Sequence, residues 1–361
     1  MKVSAETSRK MRVLSFVAMV CVVMIHSQTV VAFESRPASW RVFSQMLLLA
    51  ASTNWAVPFF FVISGFLFAA HMLSGKMGYC QLLCKKMRTL FVPYLLWAII
   101  GTVITMSLSM VNNHITHREL FLRTFMDEAG IWNKVDALLG IVREGPRGNV
   151  VLWYVHSLMW IFVFSPALVA MSRVHRLALL LMGLLFAMAV PDVSIPILSL
   201  KLGSIGWFCV GMGSAQLALD RRRMLDSVFF VTGLGWGVLI AFRAMKEAGY
   251  IGSIGGMPEN LAPLAALSGM LFWWGLYDRI SLLRNGELPE CFQMTFWVYC
   301  LHNGITGWIL ASVLYLLGKS EWVGMLASFL SVCVSLIFSL AVGHFMKRRF
   351  PKAYAVLTGG R

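Results

Sequence analysis

The chain has 361 residues, of which 58% are hydrophobic and only 13% are charged. Soluble domains carry roughly 25% charged residues, so this composition excludes an ordinary water-facing domain and predicts that lipid is the main solvent. The net charge of +15 would indicate nucleic acid in a soluble protein. Here the lysines and arginines lie between apolar segments, where they fix topology and contact anionic headgroups. Membrane lipid is therefore the predicted partner, and nucleic acid is not.

About ten apolar windows approach or reach the roughly 20 residues that a membrane-spanning helix needs. The fifth and sixth are the weakest, because Pro191 and Pro196 interrupt that region. The sequence therefore predicts an all-α, polytopic transmembrane helix bundle of about ten spans, forming a single domain over residues 1–361. In chain order the windows are residues 13–33, 46–72, 89–111, 150–171, 176–191, 202–219, 225–242, 261–277, 291–317 and 322–345.

The basic residues also predict the orientation, since cytoplasmic loops carry an excess of lysine and arginine. With the N-terminus and the C-terminus both inside (N-in and C-in), most basic residues fall on the cytoplasmic side. The only long connection, residues 112–149, is then extracytoplasmic. Its apolar residues at helical spacing, such as Val135, Leu138 and Leu139, predict short interfacial helices. The same loop is equally compatible with a lid over a site.

The cysteines give no sign of a disulfide framework or of a metal site. None of them falls in a segment predicted to lie outside, so structural disulfides are not expected. Cys80 and Cys84 share a helix face, but no further cysteine or histidine lies at zinc-site spacing, and no metal is predicted. The seven are Cys21, Cys80, Cys84, Cys209, Cys291, Cys300 and Cys333.

Polar residues inside the apolar windows are the candidates for chemistry, because burying them in a bilayer is costly. The windows contain almost no Asp or Glu, so the carboxylate relays of ion-coupled transporters lack their usual residues. For a histidine, hydrogen bonding to a neighbouring helix is as plausible as a chemical role. The polar residues are His26, Asn54, Ser64, His156 and His302.

His26 lies on a polar stripe of the first window. At 100° per residue, Ser15 and Arg12 fall roughly 20° and 40° from the direction of His26. Arg12 would lie about 21 Å away along the helix axis, at the cytoplasmic edge. The stripe therefore joins a cytoplasmic cation to a deep imidazole, and a neutral imidazole can take a proton from a hydroxyl.

Two further features have a structural and a functional interpretation. Lys85, Lys86 and Arg88 anchor the chain at the inner surface, and they are also placed to hold a phosphorylated ligand from the cytoplasm. Gly65 and the glycines of residues 203–213 predict close packing of helices. The latter do not indicate a nucleotide loop, because the sequence offers no strand context for a Rossmann turn.

Five segments in the right order resemble the acyltransferase 3 family of membrane O-acyltransferases. Residues 22–26 end in the histidine that closes the family's first helix, and residues 57–67 are very close to its second-helix signature. Residues 88–97, 152–154 and 298–302 resemble its basic-Pro-Tyr, Leu-Trp-Phe and Tyr-x-x-His motifs. One position departs from the family, which usually has an arginine where this chain has Ser15; Arg12 is a candidate substitute.

The resemblance implies transfer of an acyl group, often acetyl, and an acyltransferase of the class that transfers groups other than amino-acyl groups. The donor would be cytoplasmic acyl-CoA, used as a cosubstrate with no permanently bound cofactor. The acceptor would be a hydroxyl of a cell-surface glycan or of its lipid-linked precursor, and the location the inner cell membrane. The oligomeric state is not predicted.

The same resemblance, taken with the residues, yields a set of site residues. His26 would be the catalytic base or would carry the acyl group. A cationic and aromatic group would bind the acyl donor, and a polar group would stabilise the oxyanion or position the acceptor. The donor-binding residues are Arg12, Lys86, Arg88 and Trp153, and the oxyanion or acceptor-positioning residues are Asn54, Ser64, Tyr299 and His302.

Two other functions share the same membrane frame. A transporter or flippase of a lipid-linked glycan would also need a polytopic bundle with a cavity, although the absence of internal repeats counts against it. A receptor or scaffold with an inactive acyltransferase fold is compatible with the departure at Ser15. Only an acyltransferase would consume the thioester of acyl-CoA when an acceptor is supplied.

Overall fold

The computed structural model describes residues 3–28, 39–75, 78–116, 130–143, 145–175, 177–195, 198–219, 224–251 and 261–360. These residues form a helical bundle in which the described strands are two residues long. In chain order the helices are α1 (Ala5–His26), α2 (Trp40–Leu73), α3 (Tyr79–Thr116), α4 (Ile131–Leu139), α5 (Trp153–Val174), α6 (Ala178–Ala189), α7 (Leu202–Gln216), α8 (Asp226–Glu247), α9 (Ala262–Arg279), α10 (Ser281–Arg284), α11 (Thr295–Leu317), α12 (Glu321–Arg349) and α13 (Pro351–Thr358). Short 3-10 helices, Arg147–Leu152 and Glu290–Gln293, precede α5 and α11.

Each predicted window overlaps one of these helices, so the predicted all-α fold is confirmed for the described residues. Six helical segments of the described chain are long and apolar enough to cross a membrane. The count of about ten crossings and the cytoplasmic location of both ends stay predictions. The six segments are Trp40–Leu73, Tyr79–Leu108, Arg147–Val174, Asp226–Glu247, Thr295–Leu317 and Glu321–Arg349.

The first helix is displaced toward the N-terminus relative to the predicted window 13–33, of which residues 29–33 lie outside the described chain. It begins after Ser4, whose side chain accepts a hydrogen bond from the Thr7 amide, as helix N-caps do. It ends at His26, and the side chains of the next two residues, Ser27 and Gln28, bond the carbonyls of Val23 and Met24 in its last turn. His26 is therefore the last residue of α1.

The fifth and sixth windows form two short helices. At about 1.5 Å per residue, the 12 residues of α6 and the 15 of α7 extend roughly 18 and 22 Å, less than the ~30 Å hydrocarbon core of a bilayer. They are joined by an antiparallel hairpin of β1 (Ser194–Ile195) and β2 (Leu200–Lys201), with Ser194 paired to Lys201. Neither helix alone is long enough to span the bilayer.

Glycines bring α7 against α2, as the sequence predicts. A Cβ added at Gly65 would lie 2.0 Å from the carbonyl oxygen of Phe208, and one added at Gly211 would lie 2.0 Å from that of Val62. Both obstacles are backbone atoms, so only glycine fits at these two positions. Since α2 also packs against α1, α8 and α9, it is the central helix of this half of the bundle.

The region predicted as an extracytoplasmic loop, residues 112–149, is described at its two ends, and residues 117–129 lie outside the described chain. Its last part enters the bundle, because Thr105 donates to the carbonyl of Gly148 at 2.8 Å and the Asn149 amide donates to that of Cys300 at 2.9 Å. Asn149 is 2% exposed. The extracytoplasmic location stays a prediction.

Candidate active site

A cavity of about 610 Å³ lies between α1, α2, α3, α5 and α11. Most of its wall is apolar, and the polar groups are concentrated in a few side chains. Five of the predicted site residues line it: His26, Ser64, Lys86, Trp153 and Tyr299. The remaining polar wall residues are Ser15, Thr53, Tyr154, Gln293 and Thr295.

The cavity runs from His26 toward the N-terminal end of α1. Ser15 precedes His26 by 11 residues, which is roughly 16 Å along the helix. Gln293 lies at the Ser15 end, because the neighbouring Phe16 and Phe292 rings pack at 4.8 Å.

Lys86 approaches the same end of the cavity from α3. Trp97 packs against Trp297 at 5.3 Å, and Ile104 contacts Gly304, so α3 and α11 run parallel. Lys86 lies three turns before Trp97 and therefore on the Gln293 side. The cavity thus has an imidazole toward one end and an ammonium group toward the other.

His26 is half-buried and lines the cavity from the last turn of α1. The negative end of the helix dipole lies at this turn, and it stabilises an imidazolium that forms there. The ring of His302 lies 5.3 Å from that of His26, tilted by 52°. His302 itself is fully buried behind the cavity wall.

The hydroxyl groups on the wall are linked to the backbone. Tyr154 donates to the carbonyl of Phe60 at 3.1 Å, and Ser64 lies 2.9 Å from the Tyr154 oxygen. Because the Tyr154 hydrogen is directed to a carbonyl, Ser64 is the donor in the second contact. Tyr299 donates to the carbonyl of Val151. Trp153 packs beside these groups, 6.2 Å from the ring of Phe61.

Asn54 lies outside the cavity wall, although its neighbour Thr53 is part of it. Asn54 is 5% exposed, its amide donates to the carbonyl of Ala50 at 2.8 Å, and its oxygen accepts from Arg243 at 2.6 Å. Both ends of the side chain are therefore engaged, the amide within α2 and the oxygen in a bond that joins α2 to α8. His156, the other polar residue of the windows, bonds Trp160 and is not on the wall.

Arg12 lines a second opening, an open cleft of about 880 Å³ between the start of α1 and the segment after α10. Arg9 and Arg284 also line this cleft, together with Glu6 and Glu287. The two openings share no lining residue. Arg88 is exposed and lines neither of them.

The 3-10 turn that carries Gln293 is tied to the end of α12. Glu290 bonds Lys347 at 2.7 Å and His344 at 2.9 Å. The Lys347 hydrogen bond, with a smaller contribution from His344, holds the pKa of Glu290 below its usual value. These contacts fix the turn beside the basic end of the cavity.

Sequence reasoning missed several polar wall residues. Tyr154 lies in the motif at residues 152–154, which assigns it no role, and no sequence pattern marks Thr53, Gln293 or Thr295. Arg243 carried little signal, because it lies just past the predicted window 225–242, near Lys246 and Glu247 at the charged end of its helix. Within the described residues, no group of three or more His, Cys, Asp or Glu side chains could hold a metal ion.

Comparison with known proteins identifies the family. A family model described as an acyltransferase domain matches residues 11–344, nearly the whole chain. No curated protein and no solved structure matches the chain. The match includes both histidines of the pair and every residue of the cavity wall. The chain therefore belongs to the acyltransferase 3 family of membrane acyltransferases.

Proposed function

We propose that the chain is a membrane O-acyltransferase of the inner cell membrane. It moves an acyl group, with acetyl as the expected one, from cytoplasmic acyl-CoA to a hydroxyl of a cell-surface glycan or its lipid-linked precursor. The observation that carries the proposal is that one cavity is lined by both His26 and Lys86.

The shape of the cavity suits a long donor with one charged end. The phosphates of acyl-CoA are strong acceptors for Lys86, and Ser15, Gln293 and Thr295 add polar groups at the same end. The apolar walls accept the pantetheine arm and place the thioester near His26, roughly 16 Å from Ser15 along α1. The indole of Trp153 forms part of that wall.

The chemistry needs one base in the correct place. His26 removes the proton of the acceptor hydroxyl as the oxygen attacks the thioester carbonyl, which forms the C–O bond. Collapse of the tetrahedral intermediate breaks the C–S bond, and the imidazolium returns its proton to the CoA thiolate. The C-terminal end of α1 stabilises the imidazolium in between.

The oxyanion is placed beside Ser64 in this proposal. The Ser64 hydroxyl donates to Tyr154, and a rotation about its Cβ–Oγ bond redirects that hydrogen toward the substrate. Tyr154 remains fixed by the carbonyl of Phe60 during this change. Tyr299, held by Val151, limits the space available to the acceptor.

Release of free CoA tests the proposal. The purified protein in lipid nanodiscs is incubated with acetyl-CoA and an extract of lipid-linked glycans, and free thiol is measured over time. Thiol release that depends on the glycan supports acyl transfer, and His26→Ala should abolish it. His71→Ala is a matched control, because His71 is an exposed histidine at the far end of α2.

Two outcomes would contradict the proposal. Glycan movement across the membrane without thiol release would favour the flippase instead. A correctly folded His26→Ala protein with wild-type thiol release would remove the assigned base. Mass spectrometry of the modified glycan identifies the acyl group and the acceptor.

A further inference from the structure

We propose that His302 is a positioning residue for His26, in which His302 Nε2 accepts a hydrogen bond from the His26 ring. This bond holds the second His26 nitrogen unprotonated and directed into the cavity. The inference rests on the proposed function, because it concerns how the base of that reaction is oriented.

Backbone contacts determine where His302 carries its proton. Its Nδ1 lies 2.9 Å from the carbonyl oxygen of Tyr299 and 3.1 Å from that of Val298. Carbonyl oxygens only accept hydrogen bonds, so Nδ1 must be the protonated nitrogen. In the neutral ring, Nε2 then carries a lone pair and no hydrogen.

The lone pair of Nε2 has no partner within the described part of the chain. The atom is buried without a hydrogen bond, and His302 is 0% exposed. Two nearby hydroxyls use their hydrogens elsewhere: Thr306, one turn after His302, donates to the carbonyl of Asn303 at 2.8 Å, and Ser27, next to His26, donates to that of Val23 at 2.7 Å. A buried acceptor without a donor costs free energy, and a hydrogen bond from a nearby donor would recover it.

His26 is the donor that can reach this acceptor. The two ring centroids are 5.3 Å apart. Each nitrogen lies on its ring perimeter, so rotation of the half-buried His26 ring brings two nitrogens to a hydrogen-bonding distance of about 2.9 Å. The remaining His26 nitrogen then faces the cavity, where the acceptor hydroxyl binds in the proposed reaction.

This arrangement determines the tautomer of the base. With its N–H directed to His302, His26 presents a lone pair to the substrate, and the same bond stabilises the imidazolium after proton transfer. His302 cannot donate to an oxyanion, because its one ring hydrogen is directed to the backbone. It therefore acts through His26 and not on the acyl group.

Two amide substitutions at His302 separate the role of the Nδ1 hydrogen from the role of the Nε2 acceptor. His302→Asn keeps a side-chain N–H near the Nδ1 position and removes the acceptor at Nε2. His302→Gln places an amide oxygen close to the Nε2 position. We expect His302→Asn to lower kcat by about tenfold to a hundredfold, as misplacement of a catalytic group does, with little change in the KM for acetyl-CoA. His302→Gln should retain most of kcat.

A structural role would give a different pattern. Equal losses in both variants, or a wild-type kcat in His302→Asn, would overturn the proposal. If the wild-type protein shows no glycan-dependent thiol release, the proposed function fails first.

A spectroscopic measurement on the wild-type chain avoids any folding defect. The ¹⁵N NMR spectrum of the histidine-labelled protein, assigned by comparison with His302→Gln, reports the protonation of each ring nitrogen. We expect a protonated Nδ1 and an unprotonated Nε2 in His302. The reverse tautomer would overturn the proposal without reference to activity.

Discussion

The contact between α2 and α7 makes a sharp prediction for Gly211→Ala. The added methyl group would lie 2.0 Å from the carbonyl oxygen of Val62 and 2.9 Å from the amide nitrogen of Phe66. An ordinary contact needs about 3.5 Å or more, so the two helices must separate by more than 1 Å. Both obstacles are backbone atoms, and no change of rotamer relieves the clash.

Overpacking of this kind costs about 1–3 kcal/mol, and more where the backbone must move. Gly235→Ala in α8 is the matched control, because nothing lies within 4 Å of a Cβ at that helical glycine. That variant should be neutral or stabilised by up to about 1 kcal/mol, through its gain in helix propensity. Thermal unfolding in detergent measures both. Equal unfolding temperatures for Gly211→Ala and Gly235→Ala would refute the close approach of α2 and α7.

Two further predictions concern buried and substrate-facing charges. Lys10 is 4% exposed and bonds Asp278 at 2.6 Å. Lys10→Met should therefore lower the free energy of unfolding by about 1–3 kcal/mol, and adding Asp278→Leu should recover most of that loss. A double variant as unstable as Lys10→Met would contradict this prediction. Lys86→Gln should raise the KM for acetyl-CoA about tenfold, the loss of one charge-assisted contact, whereas Arg88→Gln should leave it nearly unchanged. Adding Ser15→Arg to Lys86→Gln should lower the KM again; a KM insensitive to Lys86→Gln would remove this residue from donor binding.

Much of the fold follows from apolar windows and small residues. A run of apolar residues predicts a helix because a bilayer leaves few other ways to pair the backbone. The close packing at Gly65 follows from the same reasoning, since a residue without a side chain permits backbone contact. Composition could not predict where α1 ends, because apolar residues continue past His26 in the sequence whereas the helix ends there. The short α6 and α7 reflect the hairpin between them.

The cavity was predictable in part. Ser64 and Trp153 stand on its wall as the motifs indicate, whereas Asn54 does not. A helical wheel gives the direction of a side chain, but the partner on that side is set by tertiary packing. For Asn54 the partner is Arg243, nearly 190 residues later in the chain, and no local pattern contains that pairing.

Tertiary packing also explains why the residues of the polar stripe on α1, from Arg12 to His26, line two different openings. On α1, the cavity residues Ser15, Val22 and Ile25 occupy a sector to one side of His26. Arg12 is offset by about 40° to the other side, and there it meets the cleft beside α10. One face of α1 thus lines both the cavity and the cleft, which a helical wheel of α1 alone cannot reveal.

This division bears on the departure at Ser15. Ser15 lines the cavity at the position where the family usually has an arginine, and its short side chain leaves that end without a cation from α1. Lys86 lines the same cavity from α3, whereas Arg12 faces the separate cleft. In the proposed reaction the charge that meets the donor phosphates therefore comes from the neighbouring helix. A lysine contributes a single flexible point charge. Lys86 would therefore attract phosphate as the family's arginine does, but it would not provide the bidentate hydrogen bonds of a guanidinium group.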